Sequence, residues 1–389
     1  MTKPRVLVFT EYYLPGFKAG GPIPSVSRII EMADQCEFRV VTRDRDLGDV
    51  EPFRNHKPCT PVTLGNAQVM YLSRKFKEWW WLRQEIKKWR PEAYYINSAH
   101  SPFGTLVPLT LMKLRLFPKT QKVIIAPRGE FGEGALSLKS RKKFAFKPLI
   151  RWLIPTDVTW HASNEDELHQ IMSWWGTKQP ASHTFVVAAD PAIEPAQYAS
   201  TGALNETILT FASRIDRKKG LDRANKIIEQ IDSDIFFTWS IQGSVSDQKY
   251  LLEIKEQLAS LPPNVTVSLK DFFVPDSSQN IFAGATAFVF PTLGENFGHV
   301  VAEALSVGCP VFLTADTPWT DLIRRGGGQI ITTDEHTASQ LSTLARMSED
   351  EQFYLRVKIH SAYRHWYLSN REKSNPFSVI YPKQQVKMG

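Results

Sequence analysis

The stretch PTLGENFGHVVAEALSVGCPV, residues 291–311, indicates the end of a strand, a loop, a helix and the start of a second strand in immediate succession. The apolar run AFVFP (287–291) ends at a proline, and a polar loop follows it. Apolar residues then recur at helical spacing until Gly308, after which PVFLT (310–314) has the β-branched and apolar character of a strand. Strands that alternate with helices in this way form parallel sheets.

The same alternation of short apolar runs and helical stretches continues on both sides of this stretch. An Ala- and Pro-rich segment without periodicity, 186–205, interrupts it and favours a linker. We therefore predict an α/β protein of two Rossmann-like, doubly wound domains that face each other across a cleft, with ligands at the carboxyl ends of the strands. The predicted strands are 5–10, 38–43, 67–72, 93–97, 122–127 and 157–162 before the linker, and 206–213, 235–242, 265–270, 287–291 and 310–314 after it.

The composition fits a globular protein of two domains and shows an uneven charge. The chain has 389 residues, of which 42% are hydrophobic and 22% are charged. Its three scattered cysteines do not make a disulfide framework or a four-ligand zinc site, so we expect a reducing compartment. Residues 1–200 hold 28 Lys and Arg against 19 Asp and Glu, whereas the remainder hold 19 against 21. A basic half attracts nucleic acid, anionic lipid or a phosphorylated ligand, and charge alone leaves these three open.

Polar groups follow the strand that ends at residue 291. Glu295 lies in the loop at the strand's carboxyl end, and Glu303 lies in the second turn of the helix. Either carboxylate can accept hydrogen bonds from the hydroxyls of a sugar or a ribose. The backbone N–H groups of Phe297 and Gly298 lie at the helix N-terminus, which suits an anion. For either glutamate alone, the alternative is an ordinary capping or surface residue.

A second polar strand end occurs in LTFASRIDRKKGLDRA, residues 209–224. Arg214 follows the strand, and Lys219 and Gly220 precede the next helix. The arginine fork and the lysine point charge can converge on one diphosphate and neutralise a departing phosphate. A solvated basic turn is the alternative for this motif.

Weaker signals occur in the first half of the chain. Gly20 and Gly21, between the first strand and the first helix, would let the backbone approach a phosphate, or they form a plain turn. His161 ends a strand and is either a donor to a sugar hydroxyl or phosphate or a satisfied core histidine. Arg128 and Glu130 also follow a strand, so we expect them at the cleft. The lysines that come next belong either to an acceptor site or to a solvated helix: Lys139, Lys142 and Lys143.

The segment RKFKEWWWLRQEIKKWR, residues 74–90, combines basic and tryptophan side chains. Together with LIRWLIP (149–155) it fits a lipid–water interface, and an ordinary packed helix is the alternative. No apolar run reaches the roughly 18 residues of a membrane span, and the N-terminus lacks the pattern of a signal peptide. We expect a cytoplasmic protein that meets an anionic membrane surface peripherally, on the inner face of the cell membrane.

The spacing from Glu295 to Glu303, within GENFGHVVAEALSVGCPV, resembles the E-x7-E signature of family 4 retaining glycosyltransferases, which have the GT-B fold. Arg214 and Lys219 resemble the donor-phosphate residues of that family. The resemblance is strong across 206–325 and weaker over the N-terminal half. It implies a division of the chain into an acceptor-binding domain, a nucleotide-sugar-binding domain and a C-terminal helix and tail that cross back to the first domain, over 1–187, 188–357 and 358–389 respectively.

The resemblance also implies a role for each matching residue. The catalytic set would be Glu295, Arg214, Lys219 and His161. Donor binding would fall to Gly20, Gly21, Arg214, Lys219, Glu295, Asn296, Phe297, Gly298 and Glu303, and acceptor binding to Arg128 and Glu130. The loops that depart from the family pattern leave the contacts to the nucleotide base open: 19–25, 188–194 and 239–248.

The reaction implied by the resemblance is the transfer of a sugar with retention at the anomeric carbon. The donor would be a nucleotide-diphosphate sugar, with UDP or GDP as the nucleotide, and the acceptor a hydroxyl of a glycan or a polyprenyl-linked molecule. We expect neither a metal nor a cofactor, since Arg214, Lys219 and the helix N-terminus would stabilise the leaving phosphate. A role in bacterial surface polysaccharide assembly (lipopolysaccharide, capsule or exopolysaccharide) follows, with no nucleic acid as partner.

Other classes of protein are compatible with part of the sequence. A nucleic-acid-binding protein would use the basic first half but would leave Glu295 and Glu303 unexplained. A nucleotide-sugar epimerase on the same architecture would turn over its substrate without an acceptor. A non-catalytic scaffold would tolerate the replacement of Glu295 or Lys219.

Overall fold

The computed structural model describes residues 3–73, 75–131, 140–197, 206–270 and 278–382. The chain divides into two compact units, Met1–Pro191 with Glu372–Gly389 and Ala192–Arg371. Each unit contains a predominantly parallel sheet with helices between its strands, so the predicted α/β class is confirmed.

The first unit contains a sheet of eight strands in the described residues. Their order is β3-β4-β2-β1-β5-β6-β7-β8, and all neighbours are parallel except β3 and β4. The central strands are buried along almost their whole length because helices cover a parallel sheet on both faces. The strands are β1 (Arg5–Thr10), β2 (Glu37–Arg43), β3 (Val62–Leu64), β4 (Ala67–Leu72), β5 (Ala93–Asn97), β6 (Lys122–Ala126), β7 (Thr159–Ala162) and β8 (Thr184–Val187).

The helices of the first unit present apolar stripes to this sheet. In the helix Phe76–Trp89 the buried residues Trp79, Leu82, Ile86 and Trp89 recur at helical spacing. The side chain of Asn164 accepts a hydrogen bond from the N–H of Glu167 and so caps the helix that follows it. The helices are Pro22–Met32, Phe76–Trp89, Val107–Lys113, Ser140–Leu153, Glu165–Trp175 and Pro376–Ile380, with a π-helical turn at Pro102–Leu106 and a 3-10 turn at Gly176–Lys178.

The second unit contains a sheet of six strands in the described residues, in the order β11-β10-β9-β12-β13-β14. All neighbouring pairs are parallel. The strands are β9 (Ile208–Ala212), β10 (Phe237–Gln242), β11 (Val265–Lys270), β12 (Ala287–Phe290), β13 (Val311–Leu313) and β14 (Gly328–Ile330). The helices are Leu221–Glu229, Gln248–Ala259, Ser278–Ala283, His299–Ser306, Thr320–Leu322, Asp334–Ala345 and Glu349–Asn370, with a 3-10 turn at Arg217–Lys219 and a π-helical turn at Ile323–Gly327.

Each sheet has a point where the order of its strands reverses. In the first unit β1 lies between β2 and β5, and in the second unit β9 lies between β10 and β12. The two adjacent strands at such a point are β1 and β5 in the first unit and β9 and β12 in the second. The connections that follow these two strands continue to opposite faces of the sheet, and a crevice forms between their first residues at the carboxyl ends. The fold of the second unit therefore brings the loop after β9 next to the loop after β12.

The domain boundaries of the structure differ from the predicted ones at 187 and 357. The first unit continues to Pro191 because Asp190 is hydrogen-bonded inside it. The boundary at 357 falls within the helix Glu349–Asn370, whose Ile359 and Tyr363 are buried in the core of the second unit. The segment that joins the first unit therefore begins at Glu372, not at 358.

Candidate active site

Two loops meet at the strand reversal of the second unit. Gly220, at the end of the loop after β9, has φ +72°, and a Cβ there would lie 2.2 Å from the carbonyl oxygen of Pro291. The N–H of Leu293 donates to the carbonyl of Lys218 at 2.9 Å. Only glycine permits this approach, because an L side chain would clash with the backbone of the other loop. The two motifs that carry Lys219 and Glu295, which are 76 residues apart in the sequence, are thereby held in contact.

Lys219 and Glu295 form an ion pair across these two loops. The Lys219 Nζ lies 2.6 Å from the Glu295 Oε1, and the two side chains are only 12% and 9% exposed. The hydroxyl of Thr292 donates to the same carboxylate oxygen at 2.9 Å. A cation and a carboxylate are therefore fixed side by side at the carboxyl ends of β9 and β12.

Arg214 lies on the same edge but is more accessible. Its side chain is 41% exposed, and its Nη2 lies 3.9 Å from the Asp216 Oδ2. Gly243, after β10, determines the course of the backbone here, since a Cβ at that position would lie 1.7 Å from the Ser213 carbonyl oxygen. The single glycine of the 239–248 segment is therefore required for the approach of the β10 loop to the backbone that carries Arg214.

Lys218 is a further cation of this site that the sequence analysis did not single out. Burial and the neighbouring ammonium of Lys219 lower the pKa of Lys218. The R-K-K run at 217–219 was the available signal, but a run of basic residues does not show which of its side chains faces a site. Arg217 instead points to the surface, where it pairs with Glu253 at 2.5 Å.

The turn after Glu295 leads into the helix His299–Ser306. Gly298 is the N-cap residue, with φ +84°. Phe297 is buried, and Asn296 is half-buried. Glu303 is only 6% exposed. The predicted donor residues of this stretch therefore lie on one continuous turn and helix, directly beside the Lys219–Glu295 pair.

Trp319 packs behind this turn and was missed by the sequence analysis. It is completely buried, and its indole N–H donates to the carbonyl of Phe297 at 2.5 Å. An isolated tryptophan 22 residues after Phe297 carries no sequence signal for such a contact.

The glycine loop of the first unit follows β1, as predicted. Gly20 has φ +72°, and Gly21 is the N-cap residue of the helix Pro22–Met32. The carboxylate of Asp46 accepts hydrogen bonds from the N–H groups of Phe17 at 2.7 Å and Lys18 at 3.0 Å. This buried aspartate, which the sequence analysis missed, therefore fixes the conformation of the loop.

Arg128 and His161 are held in a buried network of the first unit. The Arg128 guanidinium donates to the Asn97 Oδ1 at 2.6 Å and to the Tyr95 hydroxyl at 2.7 Å, and it pairs with Asp190. The side chains of Arg128 and Asp190 are 7% and 4% exposed. Three of the five guanidinium N–H donors are thus used inside the first unit, which gives Arg128 a structural role, and its acceptor-binding role stays a prediction.

His161 corresponds to the satisfied core histidine that the sequence left as an alternative. Its Nδ1 accepts from the Tyr95 hydroxyl at 2.8 Å, and its Nε2–H donates to the carbonyl of Ala188 at 2.9 Å. Burial, together with the positive charge of Arg128, lowers the pKa of His161 to about 4. With both ring nitrogens engaged and the ring neutral, His161 does not offer the donor to sugar or phosphate that the prediction required.

Glu130 is also engaged within the first unit. Its carboxylate accepts hydrogen bonds from the N–H groups of Ala99 and His100, each at 2.8 Å, and from the Ser98 hydroxyl. It therefore caps the loop after β5, although its side chain is still 31% exposed. Among the predicted lysines, Lys139 lies outside the described residues, as do the side chains of Lys142 and Lys143.

A family model described as glycosyl transferases group 1 matches residues 196–365. This stretch contains every residue of the second-unit site named above, from Arg214 to Trp319. The match confirms the family resemblance. Among curated proteins, none matches the sequence.

Solved structures resemble the chain over nearly its whole length. A sucrose-phosphate synthase from Thermosynechococcus elongatus is 14% identical with a TM-score of 0.68, covering 97% of this chain and 96% of its own. WaaG, a glycosyltransferase involved in lipopolysaccharide biosynthesis, is 14% identical with a TM-score of 0.62, covering 97% and 100%. HepE from Anabaena, in complex with UDP and glucose, is 12% identical with a TM-score of 0.64, covering 97% of each chain. These likenesses confirm the predicted GT-B fold.

Proposed function

Since residues 196–365 belong to the glycosyl transferases group 1 family, we propose that the chain transfers a sugar from a nucleotide diphosphate to an acceptor hydroxyl with retention of configuration. The observation that carries this proposal is the Lys219–Glu295 pair, 2.6 Å apart at the strand reversal of the second unit. A diphosphate needs cations and a sugar needs hydroxyl acceptors, and the pair supplies one of each at a single point.

Different residues of the site bind the diphosphate and the sugar groups of the donor. Arg214, Lys218 and Lys219 face the diphosphate, and the N–H groups of Phe297 and Gly298 add to this positive end. Glu295 accepts hydrogen bonds from the transferred sugar, and Glu303 from the ribose. Because Glu295 is already fixed by Lys219 and Thr292, it needs little reorganisation to hold a sugar hydroxyl.

The reaction breaks the bond between the anomeric carbon and the diphosphate oxygen and forms a bond from that carbon to the acceptor oxygen. The acceptor attacks from the face that the diphosphate leaves, so configuration is retained. The proton of the acceptor hydroxyl passes to the departing phosphate. Positive charge from Arg214, Lys218 and Lys219 stabilises that phosphate, in the place that a divalent metal takes in other phosphate sites.

We infer the donor and acceptor classes from the relatives and the charge. UDP is bound by HepE, and lipopolysaccharide biosynthesis is the process named for WaaG. We extend these two statements to this chain. We propose a UDP- or GDP-sugar as the donor and a glycan or polyprenyl-linked molecule of a bacterial surface polysaccharide as the acceptor.

Calorimetry with UDP-, GDP-, ADP- and CDP-sugars tests the proposal. We expect one nucleotide to bind more tightly than the others, with binding unchanged by EDTA. NMR of the product formed with that donor and a glycan acceptor should show the anomeric configuration of the donor. Turnover of the sugar without an acceptor would indicate an epimerase instead, inversion would exclude the retaining mechanism, and absence of binding to all four would exclude the donor site.

We also propose that the first unit meets an anionic membrane through an aromatic–basic face, defined here by Trp80, Leu114 and Trp152 with Arg83 and Lys113. The three apolar side chains are 50%, 61% and 58% exposed. Arg83 stacks on Trp80 at 4.7 Å and donates to the Leu116 carbonyl, whereas Lys113 lies 4.9 Å from the Trp152 ring.

These contacts join three separate segments of the first unit into one surface, on which amphipathic tryptophans alternate with cations. The largely buried Trp79 and Trp89 belong to the core, as the packed-helix alternative for residues 74–90 predicted. Within the described residues, no helix combines the length and apolar character needed to cross a membrane. The exposed aromatic side chains and the cations beside them support peripheral contact through this face.

Sedimentation with vesicles rich in phosphatidylglycerol tests the aromatic–basic face. We expect binding at low salt that weakens at high salt, and a loss of about tenfold in partitioning for Trp80→Ser combined with Trp152→Ser. Phe236→Ser is the matched control, because Phe236 is 74% exposed on the second unit. Equal partitioning of wild type and the double variant would contradict the proposed membrane contact and would leave the proposed glycosyltransferase activity unaffected.

A further inference from the structure

Trp319 makes a hydrogen bond that fixes the direction of one peptide group in the donor-binding turn. Its indole N–H donates to the Phe297 carbonyl at 2.5 Å. The C=O and N–H of a trans peptide point in opposite directions. The N–H of Gly298, which belongs to the same peptide group, is therefore directed away from Trp319.

The turn is built so that the indole can come this close. Gly298 has φ +84°, and a Cβ there would lie 3.3 Å from the Trp319 Nε1 and 3.4 Å from the Glu295 Cγ. A side chain at 298 would be strained in φ and would crowd both neighbours. Glycine at this position thus places Glu295, the Phe297–Gly298 peptide and Trp319 in one tightly packed group.

Aromatic side chains hold Trp319 in place from behind. Its ring lies 5.2 Å from Phe297 in an edge-on arrangement and 4.6 Å from Trp366 on the helix Glu349–Asn370. Tyr363 of the same helix lies 6.2 Å away and donates its hydroxyl proton to the carbonyl of Ile193. Such packed aromatic contacts restrict the indole to one orientation.

We propose that Trp319 is a positioning residue of the donor site, which aims the Gly298 N–H at the diphosphate without touching the donor itself. This inference rests on the proposed function, because it assumes that the turn at 295–298 binds a nucleoside diphosphate. Its consequence is specific: loss of the indole N–H weakens the interaction with the phosphates and leaves the interaction with the nucleoside unchanged.

The test compares Trp319→Phe with Trp239→Phe by calorimetry, using the nucleoside diphosphate that binds wild type and its free nucleoside. Trp239 is a matched control, because it is also completely buried in the second unit and its indole N–H donates to the Asn225 Oδ1 at 3.0 Å. We expect Trp319→Phe to weaken the diphosphate roughly fivefold to tenfold, the effect of one hydrogen bond, with the nucleoside unaffected. Trp239→Phe should lower thermal stability but bind both ligands like wild type.

Equal losses for the diphosphate and the nucleoside, or no loss, would overturn the positioning role while the donor site itself stands. Failure of wild type to bind any nucleoside diphosphate would instead overturn the proposed function. Should Trp319→Phe not fold, Trp366→Leu decides, since Trp366 is half-buried and only supports the indole. That variant should show a smaller loss of the same phosphate-specific kind, and its absence would count against the proposal.

Discussion

Lys219→Ala is expected to lower kcat for sugar transfer by a factor of about 10² to 10³, the effect of removing one group that stabilises developing charge. In the structure the Lys219 ammonium is held 2.6 Å from Glu295 and is only 12% exposed, so the variant removes the cation that lies directly beside Glu295. Initial rates with the preferred donor at saturating acceptor measure the effect. They should be taken well below the unfolding temperature, because the variant also leaves the Glu295 carboxylate without its cation.

Arg217→Ala is the control for Lys219→Ala. It removes the same charge from the same 3-10 turn, but Arg217 is 58% exposed and pairs with Glu253 at the surface. We expect its kcat to stay within about twofold of wild type, since a solvated charge contributes little. If both variants kept the kcat of wild type, Lys219 would not be part of the catalytic machinery. If both variants lost kcat to the same extent, only the net charge of the turn would matter.

The location of Lys219 and Glu295 at the same edge of the sheet, although not their ion pair, was accessible to sequence analysis for a physical reason. Both residues follow strands directly, and the carboxyl ends of neighbouring parallel strands meet at one edge of a sheet. The apolar runs that identify β9 and β12 are buried on both faces, which makes them conspicuous in the sequence. The family resemblance added the roles of these residues, which remain proposals.

Short strands at or near the sheet edges were not predicted. β3 and β14 have three residues each, and β8 has four, so none is long enough to establish a period. β14 also contains Gly328, whose φ of +156° permits its close approach to Val311. Pairing with a neighbouring strand, which the local sequence does not contain, determines these elements.

The position of a residue at a strand end does not reveal which way its side chain points. Arg128 and His161 both follow or end a strand, and the sequence treated them as ligand contacts. In the structure their partners are Tyr95 and Asp190, the latter 62 residues from Arg128. The role of Trp319 was not predicted for the same reason, since its partner, the Phe297 carbonyl, lies in a different loop. Long-range partners decide whether a polar side chain is structural or exposed to a ligand.

The buried pair of Arg128 and Asp190 should therefore matter for stability. Arg128→Met is expected to lower the free energy of unfolding of the first unit by about 3–5 kcal/mol, because it leaves the Asp190 carboxylate, 4% exposed, without its cation. Urea unfolding followed by hydrogen exchange of the β5 and β6 amides assigns the loss to this unit. Arg346→Met, which breaks a half-exposed pair with Asp232 and Asp234 in the second unit, is the control and should leave those amides unchanged.

Adding Asp190→Asn to Arg128→Met separates the charge from the hydrogen bonds. If an uncompensated carboxylate causes the loss, the double variant should regain part of the stability, since a neutral amide costs less to bury than an anion. The Ser25 hydroxyl, 2.7 Å from the Asp190 Oδ2, still has an oxygen to which it can donate. An Arg128→Met protein that is as stable as wild type but has a raised KM for the acceptor would contradict this account. It would return Arg128 to the acceptor-binding role, because a guanidinium that is dispensable for the core is available to a ligand.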